Sequence, residues 1–302
     1  MPNIVTSIDL GSNSFRVLKF DCKLKKSLAE FDITVGTADG LSKTGNISNE
    51  ALLRIINAIN QSIDVVDYNP EEAVAVTTQA LRIANNSKDI LSEIKSQTGI
   101  DFKIIDGKTE GKLSLLSIQN ALQREKLDDN DFVLIDIGGG STELIIYQNG
   151  KSHIKSFSFG IVTLSQSLNQ EKDLKIFEEE ISDFIDSSQY DISKSIFIST
   201  AGTPTIIAAL KHGLDNVDYD KHIVNGTTLT VTDVSTIQNT LQTISKEELI
   251  KKVGTGRESF INTGMNIYKL FFKTLKKESS IVFDDGLREG VALHYCTQKQ
   301  SI

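Results

Sequence analysis

Apolar positions along this chain follow two rhythms, and the change from one to the other happens twice. Ile4, Val5 and Ile8 precede a short polar turn, and Phe15, Val17, Leu18 and Phe20 follow it. A β-rich run, a glycine-containing turn and a second β-rich run predict a β-hairpin, with a third strand over 27–35. From Leu52 the spacing becomes helical. Ile55, Ile56, Ile59, Ile63 and Val66 keep a 3.6-residue repeat, with Ser48 at the N-cap position. Short strands at 73–77 and 102–105 then alternate with helices over 88–96 and 109–124. The second half repeats the order. Strands at 132–135, 143–147 and 152–159 precede a helix over 174–185 and a strand over 195–199. A new helix then starts, with Thr203 as N-cap, Pro204 as first helical residue and Gly213 as stop.

The two hairpins carry one motif. Residues 8–14 read IDLGSNS and residues 135–141 read IDIGGGS, so Asp136 lies 127 positions after Asp9. Three strands followed by alternating helices and strands, done twice, predict two α/β domains of like topology. Their hairpin turns are expected to face each other across a central cleft. The charged, aperiodic stretch 126–131 reads as the crossing point. Domain I then covers 1–125, completed by a C-terminal helix 287–302, and domain II covers 126–286.

Composition narrows the function classes. The 302 residues are 39% apolar and 24% charged, enough for two real cores and unlike a disordered chain. Lys and Arg total 32 against 40 Asp and Glu, a net charge of −8 with a pI near 5.2. That balance argues against nucleic acid as a partner, because such binding draws on counterion release by Lys and Arg. Local phosphate binding by backbone N–H groups stays open. No apolar run reaches the ~18 residues of a membrane span, and Asp9 interrupts any leader-like segment, which points away from membranes and to a cytoplasmic protein. Cys22 and Cys296 sit at opposite ends without CxxC spacing, which argues against a disulfide framework or a zinc ribbon. His153, His212, His222 and His294 show no metal-ligand spacing. The Gly107-Lys108-Thr109 run lacks the upstream glycine of a P-loop, Phe102 standing there, and no GxGxxG opens a helix.

The turns themselves suggest phosphate chemistry. Gly11, Ser12, Asn13 and Ser14 can bring backbone N–H groups and short polar side chains onto a phosphate oxygen. Arg16 has the strand parity to reach the same face. Gly138, Gly139, Gly140, Ser141 and Thr142 form the second turn, where three glycines admit a close ligand. In the repeat register Arg16 aligns with Glu143. One turn therefore keeps a cation for phosphate, and the other an anion of the kind a hard metal ion needs. Hydrolysis of a phosphoanhydride needs charge neutralisation, a metal and a positioned water. Asp9 and Asp136 come with the turns. Glu110 is a third carboxylate, although between Lys108 and Lys112 it also reads as an ordinary solvated helix residue.

IDLGSNSFR, TTQALRIANN, DGKTEGKLSLL, IDIGGGSTEL, FSFGIVTL, STAGTPTIIAAL and DDGLREGVAL together resemble the exopolyphosphatase / guanosine pentaphosphate phosphohydrolase family, of the actin–sugar kinase–chaperone superfamily. The resemblance spans essentially the whole chain. It implies two ribonuclease-H-like domains and Mg²⁺-dependent release of phosphate, with Mn²⁺ able to substitute. The substrates it implies are polyphosphate, losing its terminal phosphate, and pppGpp, losing its 5′-γ-phosphate. By motif, Glu110 stands where the family activates water. Asp136 and Glu143, with Asp9 in support, stand at metal and water positions. The 11–14 and 138–142 turns, Arg16 and Arg82 match phosphate contacts, and Gly202, Thr203 and Arg257 match substrate contacts.

Departures accompany the resemblance. Thr109 replaces the first of two glutamates, Ala201 replaces a glycine, and Gly256-Arg257-Glu258-Ser259 replaces a more basic segment. The sequence stops near the 287–302 helix, so it resembles the short two-domain branch. A net charge of −8 tilts the reading toward pppGpp or short polyphosphate. A homodimer is compatible with the sequence. Two rival readings stay open: a non-catalytic sensor of ppGpp or another nucleotide on the same fold and, behind it, a phosphotransferase.

Overall fold

The computed structural model describes residues 4–300, with side chains to 298. The leader reading at residues 1–3 and the last two positions of the 287–302 helix lie outside the described residues. The chain divides into two compact units, Met1–Ser117 with Gly286–Ile302, and Ile118–Asp285. The division falls within the helix Gly107–Arg124, ahead of the 126–131 stretch that the sequence suggests.

The first unit is built on a five-stranded sheet of β1 (Ile4–Leu10), β2 (Ser14–Asp21), β3 (Lys26–Thr34), β4 (Val74–Thr77) and β5 (Phe102–Ile104). Its order is β3-β2-β1-β4-β5. The first three strands are antiparallel, and β4 and β5 run parallel to β1. The alternation read from the sequence sets this up: Ile8, Leu10, Phe15 and Val17 are fully buried. The helix Asn49–Val66 starts where Ser48 Oγ accepts from the Ala51 N–H at 3.1 Å, as its capping position predicts.

The C-terminal helix Leu287–Gln300 belongs to this unit and packs Ala292, Leu293 and Cys296 against Val5, Leu18 and Phe20. Polar contacts fix its start. Ser7 Oγ donates to the Arg288 carbonyl at 2.8 Å, and Arg288 Nη2 pairs with Glu30 Oε2 at 3.0 Å. The helix also overturns the reading of the cysteines. Cys22, just past β2, is bonded to Cys296 with a Cα–Cα distance of 5.4 Å across 274 residues of sequence. Their opposite places in the chain hid a shared place in space, because the last helix returns to the first hairpin.

The second unit repeats the plan with β6 (Asp131–Ile137), β7 (Thr142–Gln148), β8 (Lys151–Phe157), β9 (Ile196–Thr200), β10 (Thr227–Thr230) and β11 (Ser279–Val282). Its order, β10-β11-β9-β6-β7-β8, extends the same arrangement by an antiparallel edge strand. Strand β6 is buried along nearly its whole length, and Phe157, Phe177, Tyr268 and Phe271 fill the core beside it. Arg124 holds Asp285 in a two-pronged pair, at 2.9 Å and 2.8 Å, near the unit's two chain boundaries.

One helix start differs from expectation. The helix Gly202–Lys211 begins after Ala201, and Thr203 lies inside its first turn, buried against Gly264. Thr203 makes no capping bond there, so the N-cap reading is corrected. The chain instead turns at Ala201 in the left-handed region, φ 73°, and the helix starts two residues earlier, at Gly202.

Gly290 is the tightest approach in the first unit. A Cβ there would run into the Leu113 carbonyl of a neighbouring helix, which backbone cannot vacate cheaply. Gly290→Ala is therefore expected to cost about 2–3 kcal/mol, read as a lowered denaturation midpoint with an unchanged m-value.

Candidate functional site

In each unit the glycine turn sits at the end of the central hairpin, and the two turns are built alike. Gly11 N–H donates to the Ser14 carbonyl at 2.9 Å, and Gly138 N–H donates to the Ser141 carbonyl at 3.0 Å. The segment after the third strand then ties down the carbonyl side of each turn, from a loop in the first unit and from the start of the helix Ile161–Ser165 in the second. In the first, Val35 and Gly36 donate to the Asn13 carbonyl and Ala38 donates to that of Ser12. In the second, Ile161 donates to the Gly138 carbonyl and Val162 to that of Gly139, while Thr142 Oγ1 reaches the Phe159 carbonyl at 2.6 Å. The N–H groups of Ser12, Asn13, Gly139 and Gly140 have no backbone acceptor among the described residues. Such N–H groups on a tight turn are what an anion-binding nest uses. Gly160 is required by this packing, since a Cβ would stand 2.5 Å from the Gly139 carbonyl oxygen.

Hairpin register decides which side chains flank each turn. Asp9 lies directly opposite Arg16 in β1–β2, and Asp136 directly opposite Glu143 in β6–β7. Directly opposed residues share a face of the sheet. The rows continue into the third strands. Arg16 stands opposite Asp32 and its Nε pairs with Asp32 Oδ2 at 2.8 Å. Glu143 stands opposite Ser156, whose Oγ donates to Glu143 Oε1 at 2.6 Å. Asp32 and Ser156 were not among the sequence candidates. Counting register outward from the glycine turns would have found both.

Glu110 lies in the first turn of the helix Gly107–Arg124, the end at which helix N–H groups favour a carboxylate. Asp106 fixes that end. Its Oδ1 accepts from the Thr109 N–H at 2.7 Å. This bond and a second from the Thr109 side chain hold the Asp106 carboxyl below the usual carboxylate range. Thr109 thus closes the helix start. Glu110 itself is 8% exposed, so the solvated-helix reading gives way. Its Oε2 pairs with Arg82 Nη1 at 2.8 Å. Arg82, expected as a phosphate contact, also donates to the Ile105 carbonyl and to Gln79.

In the second unit Asp136 and Glu143 are 9% and 1% exposed. Two buried carboxylates in one cross-strand pair repel unless cationic or hydrogen-bonding groups offset them. They offer the hard oxygens that Mg²⁺ takes, commonly from one or two carboxylates with water and substrate phosphates completing the shell. No cluster of three potential ligands among His, Cys, Asp and Glu occurs among the described residues. Gly202 opens its helix and Thr203 is buried in it. Arg257 is half-buried in the turn before the helix Ile261–Thr274, its N–H donating to the Gly254 carbonyl at 3.2 Å. No helix among the described residues is long and apolar enough to cross a membrane.

Two sheets of the same order, each with a three-stranded antiparallel meander leading into parallel strands, define a protein of two ribonuclease-H-like, actin-like α/β domains. The profile of the Ppx/GppA phosphatase family matches residues 23–298, and the chain belongs to that family. The PPX-GPPA enzyme of Aquifex aeolicus superposes with a TM-score of 0.75 at 26% identity, covering 96% of this chain and 99% of that one. An exopolyphosphatase from Cytophaga hutchinsonii shares the fold with a TM-score of 0.81 at 21% identity, over 98% of both chains. A guanosine-5′-triphosphate,3′-diphosphate pyrophosphatase of Aliivibrio fischeri is 25% identical over 96% of this chain. The chain spans 59% of the length of that curated relative.

Ala201 occupies a backbone conformation that L-residues rarely adopt, φ 73° and ψ −176°, and it stands where the family resemblance has glycine. Such positions cost of order 1–3 kcal/mol, and glycine removes the Cβ that causes it. Ala201→Gly is expected to stabilise the protein by about 1 kcal/mol or more, measurable by chemical denaturation.

Proposed function

We propose that the chain is a phosphoanhydride hydrolase that removes the terminal phosphate of inorganic polyphosphate or the 5′-γ-phosphate of pppGpp. The observation that carries this reading is the paired construction of the two turns, alike in backbone and different in the residue that faces the aspartate. Arg16 accompanies one, and the Asp136–Glu143 pair accompanies the other. The relatives named for exopolyphosphatase and guanosine-pentaphosphate activity support the same class of substrate.

In this reading the residues divide the work. The N–H groups of Ser12, Asn13, Gly139 and Gly140, with Arg16, bind phosphate oxygens and offset the charge that develops on them. Asp136 and Glu143, with Asp9 in support, would hold Mg²⁺, or Mn²⁺ in its place, and Ser156 keeps one Glu143 oxygen oriented. When bound, the ion supplies Lewis-acid neutralisation of the phosphates. Glu110 accepts a proton from the attacking water or aligns it, and Arg82 fixes the carboxylate that does so. Gly202, Thr203 and Arg257 contact the remainder of the substrate. A net charge of −8 weakens long-range attraction of a long polyanion, which favours pppGpp or short polyphosphate. The reading sets the enzyme in the cytoplasm, where a bond such as Cys22–Cys296 persists only against a reducing poise.

Phosphate release from pppGpp and from long and short polyphosphate, measured with Mg²⁺, tests this directly. Glu110→Gln is expected to lower turnover by at least about 100-fold while substrate still binds, as loss of a general base does. Chelation by EDTA is expected to abolish release, with recovery on adding back Mg²⁺. Guanosine-nucleotide binding without release by the wild-type protein would replace the hydrolase with a sensor.

A further inference from the structure

We propose that Gln79 is a positioning residue for the Arg82–Glu110 pair, a role that rests on the hydrolase reading of Glu110. Gln79 opens the short helix Gln79–Ile83, directly after β4, and Arg82 lies three residues on. The Oε1 atom of Gln79 accepts from Arg82 Nε at 3.1 Å and from Arg82 Nη2 at 2.8 Å. Both bonds fall on one edge of the guanidinium. On the remaining nitrogen, Nη1 donates to the Ile105 carbonyl at 2.7 Å and to Glu110 Oε2 at 2.8 Å.

A guanidinium is a rigid planar fork. Two bonds along one edge set the orientation of its plane, and the Ile105 carbonyl, just beyond β5, fixes the opposite side. Nη1 then has one direction in which to meet Glu110. The pair lies largely out of water, with side-chain exposures of 16% for Arg82 and 10% for Glu110. There a misdirected donor is not replaced by solvent. The consequence is a carboxylate held in one rotamer, which matters for a group that must align a water within a few tenths of an ångström. Gln79 touches Arg82, and its influence on the reaction passes through Arg82 and Glu110. Its loss should therefore appear in kcat far more than in KM.

The experiment compares wild type, Gln79→Met and Gln79→Glu, the first removing the acceptor at similar size and the second keeping it. Phosphate release supplies kcat and KM. The ¹⁵Nε–Hε resonance of Arg82, recorded without substrate, reads the grip independently of activity. Gln79→Met is expected to lower kcat by about 10-fold with KM within about twofold, and to broaden or lose the protected Arg82 signal. Gln79→Glu is expected to recover kcat to within about threefold and to retain the signal. Wild-type kcat in Gln79→Met, or an Arg82 signal unaffected by it, overturns the role. Equal losses in both variants also overturn it, since they would mark a packing effect. Should Gln79→Met fail to fold, loss of the Arg82 signal in a folded Gln79→Glu protein overturns it in the same way. If wild type hydrolyses none of the substrates, the hydrolase reading fails, and the Arg82 signal alone then decides whether Gln79 orients the pair.

Discussion

An antiparallel hairpin closed by a glycine N–H onto the carbonyl three residues later leaves no freedom in what faces what. Once Gly11 bonds Ser14, Asp9 must oppose Arg16, and once Gly138 bonds Ser141, Asp136 must oppose Glu143. A slip of one residue would send every one of these side chains to the opposite face of its sheet. The buried alternation of Ile8, Leu10, Phe15 and Val17 forbids that slip in the first hairpin. Hydrophobic burial thus fixes the polar geometry. The charged rows at the turns are consequences of a register chosen by the core.

The two copies of this backbone differ in the side chain that faces the aspartate, Arg16 in one and Glu143 in the other. In the proposed reading the cation serves phosphate and the anion serves a hard cation. Each is braced from the third strand by a residue of matching character, Asp32 for Arg16 and Ser156 for Glu143. The carboxylate assigned to the attacking water stands outside both rows. It comes from a helix whose start is closed by Asp106 and Thr109 and whose first turn is met by Arg82.

Much of this was legible in the sequence. The hairpins, the alternation that follows them and the repeat at 127 positions are local patterns with a fixed period, and they set the two sheets. Ser48 could be read as a cap because its partner lies three residues away. Asp32, Ser156 and Gln79 could not be read so easily, because their roles depend on cross-strand register or on an approach between elements. The cysteine pair failed for the same reason, since 274 residues of separation say nothing of distance once the last helix returns. Thr203 misled because its side chain fits a cap, while the strained turn at Ala201 starts the helix at Gly202, two residues ahead of the predicted first helical position. Glu110 illustrates the reverse: two flanking lysines suggested a solvated residue, and tertiary packing buried it.

The division of labour between the two turns is most directly tested by metal binding, without substrate and without turnover. Titration with Mn²⁺, followed by electron paramagnetic resonance, would compare wild type with Glu143→Gln and Arg16→Gln. The account predicts that Glu143→Gln weakens Mn²⁺ binding by more than about tenfold and that Arg16→Gln leaves it within about twofold. Undiminished Mn²⁺ binding in Glu143→Gln would contradict it.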